Sequence, residues 1–320
     1  DTDADPVRAW TLMVFINGDN NLVEAGFDDI NEMEMAGSSE DVNVVVQIDS
    51  TRDYSQKPFV FDGAKRLKVM EDDKPRNISS PYIEDLGSVD SGDLNTVVDF
   101  VEWSVARYPA ERYGLVIWNH GGGWRNQPSS DLTKEISNDD QSGNAISVAN
   151  GELEELLSGV SDVIGGRLDL LGMDACLMQT WEVATTVAPY ADYLVASQET
   201  EGADGWPYDA FLADLYDEPE MDASTLGDQI ALRFQDSQDA TQSVVDLRAM
   251  QSLNDSLNDV AQRVIDTSDT DVIYDSIRGA WASDYAPKNR DLGEFLNHIA
   301  MNTTDDGLRT AVERTQMEYD

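Results

Sequence analysis

Long apolar runs and amphipathic segments alternate along the first two thirds of the chain. WTLMVFING (10–18) is almost unbroken in apolar residues and closes on Asn-Gly, which predicts a strand ending in a turn. LVEAGFDDINEMEMA (22–36) spaces its apolar positions at helical intervals and stops before Gly37, which predicts a helix. DVNVVVQID (41–49) again reads as a buried strand, ending at Asp49. In the stretch 58–86 the pieces FVFDG and KRLKVM, separated by turn formers, predict a β-hairpin at a sheet edge. A helix over 92–108 and a strand over YGLVIWNH (113–120) follow, and the strand runs directly into Gly121, Gly122 and Gly123.

The stretch 124–150 is polar and without periodicity, which predicts a surface loop of a length that usually accompanies function. Next come a helix (151–160) and the strand RLDLLGMDAC (167–176), whose end delivers Asp174 and Cys176. A helix is expected to open at Cys176 with LMQTWEVATTVAPY, followed by the strand ADYLVASQE (191–199) and the loop TEGADGWPY that carries Asp204. SVVDLR (243–248) reads as a last strand, and 249–267, 271–283, 289–302 and 305–319 read as helices. Alternation of this kind is the signature of an α/β fold around a mostly parallel sheet. The expected organisation is a sheet domain over 1–248 and a helical C-terminal extension over 249–320 packed on it.

With 320 residues, 41% of them hydrophobic, the chain can bury a full core. Charge changes the picture more: 63 Asp and Glu face 21 Lys and Arg, a formal net charge of −42. That field argues against nucleic acid and anionic membranes as partners. It would strain a compact domain in dilute buffer, whereas at molar salt the Debye length shrinks to about 3 Å and exposed charges cease to repel. With only 6 lysines among the cations, the composition points to a halophilic setting. No apolar run is long enough to predict a membrane span. The start DTDADPVRAW has neither Met nor a signal pattern and reads as a trimmed chain, so any targeting signal lay upstream.

A single Cys and two His leave no intrachain disulfide and too few ligands for a Cys/His zinc site. In parallel sheets ligands bind beyond the carboxyl ends of the strands, where both Cys176 and His120 fall. A lone Cys at a strand end is ordinarily a small buried hydrophobe. The joint placement of the only Cys and a His after two strands favours a nucleophile and its proton carrier instead. An N-terminal helix dipole is expected to favour the Cys176 thiolate, and Gly121 with the Cys176 N–H is expected to form an oxyanion hole. His298, on an amphipathic helix, is read as structural.

The blocks NHGGGW, GMDACLM and SQETEGADGWPY, with NGDNNL after the first strand and DLGEFL near 291, resemble the clostripain family of cysteine peptidases, relatives of caspases, gingipains and legumains. They occur in the expected order over roughly residues 10–300. The resemblance implies a caspase-like αβα sandwich and a Cys176/His120 dyad with no obligatory third member. It also implies cleavage after Arg or Lys. Asp174 matches the Asp of the family's DAC motif, and Asp204 lies where the family places a second specificity carboxylate; a basic side chain in a cleft needs such partners. Relatives commonly mature by cutting themselves after a basic residue in the loop beyond the His, which makes Lys134 the candidate site, with Arg125 nearer the dyad.

No cofactor is required by that chemistry. Some relatives use calcium, but SNDDQSG (137–143) lacks the D-x-D-x-D-G spacing of a calcium loop, and no metal ligands are assigned. Expected partners are proteins or peptides with basic residues, with no nucleic acid, no membrane insertion and a monomeric chain. The expected location is extracellular or at the cell surface, in salty surroundings. Two competing readings remain: a degenerate caspase-like domain that binds peptides without cutting, and a metal or phospho-acceptor α/β domain using Asp19 and Asp49 at strand ends. No phosphate-cradling glycine loop or dinucleotide fingerprint supports the latter.

Overall fold

The computed structural model describes residues 7–74, 78–124, 135–237 and 241–319. Two compact units partition the chain, Asp1–Leu247 and Arg248–Asp320.

In the first unit the elements run β1 (Arg8–Gly18), α1 (Val23–Ala36), β2 (Val42–Ser50), β3 (Gly63–Lys68), β4 (Tyr82–Gly87), α2 (Leu94–Arg107), β5 (Ala110–Trp118), β6 (Ile136–Asp139), β7 (Asn144–Ile146), α3 (Glu152–Ile164), β8 (Leu168–Asp174), α4 (Trp181–Val187), β9 (Ala191–Ala196), α5 (Tyr208–Asp217), α6 (Ala223–Ser237) and β10 (Ser243–Asp246). Eight strands form one sheet in the order β10-β9-β8-β5-β1-β2-β3-β4. β9, β8, β5, β1 and β2 are parallel, and β10 and the β3–β4 hairpin flank them antiparallel.

Strand alternation explains the layers. Trp10, Leu12, Val14 and Ile16 of β1 enter one core with Phe27 and Ile30 of α1, Phe211 of α5 and Ile230 of α6. Met13 and Phe15 of the same strand are equally buried on the other face, where Phe15 meets Phe100 of α2 at 6.0 Å between ring centroids. With both faces covered, the inner strands must be apolar throughout, which is why they read as unbroken runs. This is the αβα sandwich expected from the sequence.

Three local expectations change. FVFDG is not a strand: Phe59 and Phe61 instead lay their rings 5.2 and 5.6 Å from Phe27, and the hairpin forms from β3 and β4. Packing of three rings outweighs strand propensity there, and truncating Phe27 to Ala would cost about 3–5 kcal/mol. The stretch 124–150 is not a plain surface loop, since β6 and β7 pair as a hairpin whose Ile136, Ser137, Asn138 and Asp139 are all buried. No helix opens at Cys176 either, because Leu177 takes a left-handed φ of +65° and α4 begins only at Trp181, capped by the Thr180 side chain.

The second unit contains α7 (Met250–Asp266), α8 (Thr270–Gly279), α9 (Leu292–Asn302) and α10 (Asp306–Tyr319) around Val260, Leu296, Ile299, Leu308 and Val312. Asp291 caps α9 through Glu294 N at 2.7 Å. His298 stacks its ring on Gly279, where a Cβ would lie 2.6 Å from its Cε1, a packing role. No helix among the described residues is long and apolar enough to cross a membrane.

Candidate active site

Adjacent parallel strands β5 and β8 are in register with Trp118 opposite Asp174. His120 and Cys176 are each two residues further on, so the sheet carries both to the same step beyond its carboxyl edge. The edge is stitched beyond the ladder: Asn119 N donates to Asp174 O at 3.2 Å, and Asn119 Nδ2 donates to Asn17 O at 2.6 Å. Asn119 Nδ2 also reaches Asn138 O of β6 at 3.1 Å, and Asn20 Nδ2 donates to the same carbonyl at 2.9 Å.

Gly121 brings the two loops together. A Cβ built on it would lie 2.3 Å from Cys176 O and 3.1 Å from Cys176 N, so only glycine allows this approach. The sequence reading pairs Gly121 with Cys176 in an oxyanion hole, and the structure brings the two backbones into contact.

His120 Nε2 lies 2.8 Å from Asn21 Oδ1, in the loop after β1. An amide oxygen only accepts, so Nε2 carries the proton and Nδ1 keeps its lone pair. Burial holds the His120 pKa below the ordinary value, against a smaller opposing pull from Asp140. Asn21 was not singled out in the sequence; the NGDNNL block was the only signal that pointed to it.

Cys176 sits in a turn, half-buried. Glu201 N donates to its Sγ at 3.3 Å. Burial pushes the thiol pKa up, the Glu201 amide draws it down in part, and Asp174 and Glu199 add to the rise. No helix terminus stands behind Cys176, so the dipole expected from the sequence is missing, and the two shifts, the thiol up and the His120 imidazole down, both favour the neutral forms.

Asp174, at the end of β8, lies beneath the 201–206 loop and is 4% exposed. Its Oδ2 accepts from Trp206 N at 3.2 Å and from Tyr208 Oη at 3.0 Å. Asp29 shares the space, since a Cβ on Gly205 would lie 2.8 Å from Asp29 Oδ2 and 3.3 Å from Asp174 Oδ2. Trp118 Nε1 donates to Asp29 Oδ2 at 2.6 Å. Glu201 is nearby, its carboxyl group buried against Asp174 and Trp206. Burial first and repulsion from Asp174 second raise the pKa values of Asp29 and Glu201 well above normal. Asp174 is pushed up to about 6, chiefly by burial. Asp204 is exposed on the same loop. The structure thus gathers Asp174 with Asp29, Glu201 and Tyr208 and leaves Asp204 at the surface. Lys134 and Arg125 lie outside the described residues.

Among the described residues, the acids grouped closely enough to share a cation are Asp19, Asp49 and Asp139, at the neighbouring strand ends.

The family model described as the clostripain family matches residues 14–315. Clostripain of Hathewaya histolytica is 31% identical over 218 residues, which is 62% of this chain but only 40% of that protein's length. Among solved structures, a secreted C11 cysteine protease from Bacteroides thetaiotaomicron in complex with an irreversible peptide inhibitor superposes with a TM-score of 0.70 at 21% identity, covering 98% of this chain and 82% of that one. Another from that organism, iotapain, gives a TM-score of 0.72 at 16% identity over 97% and 84% of the two chains. An inactive zymogen C11 protease from Parabacteroides distasonis gives 0.68 at 20% identity over 97% and 82%. At these identities the structures speak for the caspase-like fold, and the match of the family model over most of the sequence carries the kinship: the chain belongs to the clostripain family.

Proposed function

We propose that this chain is a cysteine endopeptidase that cuts after Arg or Lys, with Cys176 as nucleophile and His120 as its base. The observation that carries the reading is the common register step of the two residues beyond β5 and β8, with Gly121 pressed against the Cys176 backbone.

The chemistry follows from the resting protonation. Nδ1 of His120 takes the thiol proton as the sulfur attacks the scissile carbonyl carbon. The carbonyl oxygen becomes an oxyanion, which the N–H groups of Gly121 and Cys176 stabilise. The imidazolium keeps its Nε2 proton on Asn21 and returns the other to the leaving amine. That leaves a thioester on Cys176, which water attacks with the same imidazole as base, releasing the acid and restoring the thiol.

Asp174 and Asp204 are the residues proposed to hold the basic side chain before the scissile bond. Asp174 has the desolvated setting in which a charge-assisted hydrogen bond is strongest, and Asp204, exposed on the loop above it, is open to a second contact. Lys134, with Arg125 as the nearer alternative, is the proposed point of self-cleavage. Extracellular or cell-surface action agrees with the description of the first Bacteroides neighbour as secreted.

The test is hydrolysis of fluorogenic peptides ending in Arg, Lys, Ala or Asp in molar salt, with and without thiol alkylation. Turnover on Arg and Lys that alkylation and Cys176→Ala abolish is expected. Activity that survives alkylation sinks the dyad, and peptide binding without turnover selects the degenerate domain. Wild-type and Cys176→Ala chains incubated side by side and giving identical gels would end the self-cleavage proposal.

A further inference from the structure

The acids beneath the 201–206 loop are joined in a way that needs a proton. Asp174 and Glu201 lie within hydrogen-bonding reach of each other, carboxyl to carboxyl. An ionised carboxylate only accepts, so this contact exists only while one of the two is protonated. Asp174 is the acceptor of the pair. Its Oδ2 already takes hydrogen bonds from Trp206 N at 3.2 Å and Tyr208 Oη at 3.0 Å, neutral donors that favour a negative charge there. Burial acts on both, yet it leaves Asp174 at about 6 and lifts Glu201 well above normal, which gives the same order.

The surroundings offer no compensating cation. α1 contributes Asp28, Asp29 and Glu32, and α5 contributes Tyr208 and Asp209. Asp204 faces Glu32 from the loop, and the Cys176 sulfur lies on the far side of Glu201. The largest charge effects on Asp29, Glu32 and Glu201 therefore all come from negative groups. Gly205 closes the loop over Asp29 and Asp174 at a φ of +57°, so close that a Cβ would meet both acids. A second bare carboxylate in that enclosure has neither solvent nor a counter-ion to hold it.

We propose that Glu201 is a further specificity determinant, which holds a proton against Asp174 while the pocket is empty and releases it to solvent when a guanidinium or ammonium group enters. The exchange balances: a Glu201 acid beside an Asp174 carboxylate, plus one cationic side chain, becomes two carboxylates around that cation and one proton in water. Net charge under the loop is unchanged by it. A neutral side chain of the same shape cannot drive the proton off, so the pair sorts occupants by charge as well as by outline. Because a proton leaves, affinity for the cation rises by about tenfold per pH unit until Glu201 ionises in the empty pocket, and is level beyond. This inference rests on the reading of Asp174 as the seat of the basic side chain.

The test is calorimetry on Cys176→Ala protein in molar salt, with Nα-acetylarginine amide and its neutral isostere Nα-acetylcitrulline amide as probes. Binding enthalpies near pH 7 are compared in buffers of different ionisation enthalpy, and the slope counts protons. Release of about one proton per arginine probe is expected, and none with citrulline. Adding Glu201→Gln should abolish the release and flatten the rise of affinity with pH while arginine still binds, since the amide can donate to Asp174. The infrared band of protonated carboxyl groups, which should weaken when the arginine probe is added, reads the same exchange without that second substitution. Arginine binding with no proton release, or with a carboxyl band of undiminished intensity, overturns the proposal. A Glu201→Gln chain that still releases the proton removes Glu201 from the role. An arginine probe that binds no more tightly than citrulline at any pH sinks the basic-residue reading of the pocket, and the exchange falls with it.

Discussion

His120 Nε2 is 2.8 Å from Asn21 Oδ1, and this contact dictates which ring nitrogen is free to work as a base. Removing it by Asn21→Ala should lower kcat by roughly 10- to 100-fold, the range of a hydrogen bond to a group that becomes charged. KM and thermal midpoint should barely move. An unchanged kcat would show that the ring is held by its surroundings alone.

Alkylation should report a resting thiol. Burial raises the Cys176 pKa above 9.0 and lowers that of His120 below 6.5, so no thiolate–imidazolium pair is favoured between those values. The rate of inactivation by iodoacetamide should climb steadily with pH up to and past 9.0. A plateau in the acid range would reveal a preformed ion pair and refute the neutral resting state.

The proposed role of Asp174 in selectivity can be measured directly. Asp174→Asn should cut kcat/KM on Arg and Lys peptides by about 100-fold, the worth of a buried charge-assisted contact. A proportional fall on peptides lacking a basic residue would mean that the residue supports the fold and not the substrate.

The same group predicts stability against pH. Asp174 rises from 3.8 to about 6 and Glu32 from 4.5 to about 7, in both cases chiefly by burial. The folded chain then holds these protons more tightly than the unfolded one. The contribution is fully present below the unfolded values and is lost as pH rises through 6 to 7. At fixed salt the thermal midpoint should therefore fall between pH 5 and 8, and Asp174→Asn should be more stable than wild type at pH 8, by about 1–3 kcal/mol. A mutant with the wild-type slope would remove Asp174 as the cause.

Salt should matter to the whole chain. With 63 acidic and 21 basic side chains, the thermal midpoint should rise as NaCl is taken from 0.1 M toward molar concentrations. Indifference to salt, followed by circular dichroism, would dismiss the halophilic reading.

The inner strands were legible because a parallel sheet covered on both faces demands continuous apolar sequence, as in β1, β2 and β8. β6 was not, since ISND is buried through its hydrogen bonds: Ser137 Oγ donates to Ser91 O, and Asn138 O accepts from Asn20. Hydropathy has no register for such a strand. The helix after Cys176 is shorter than the local helical character of LMQT suggests, because Thr180 is a capping residue and marks the true start. His120 and Cys176 stood out as rare residues beyond strand ends, and Gly121 as the first of three consecutive glycines after the His. Asn21 and Glu201 did not, one being an ordinary loop amide and the other one acid among 63.

Glu201 supplies the amide that touches the sulfur and, on the same residue, a carboxylate buried beside Asp174. If Cys176 is the nucleophile and Asp174 holds the substrate's basic side chain, as proposed, reactivity and choice of substrate meet in a single residue. On that proposal, any redesign of the 199–206 segment to accept a neutral or acidic side chain would also reset the proton affinity of the Cys176 thiol, so selectivity in this scaffold would not be rewritten without retuning its speed.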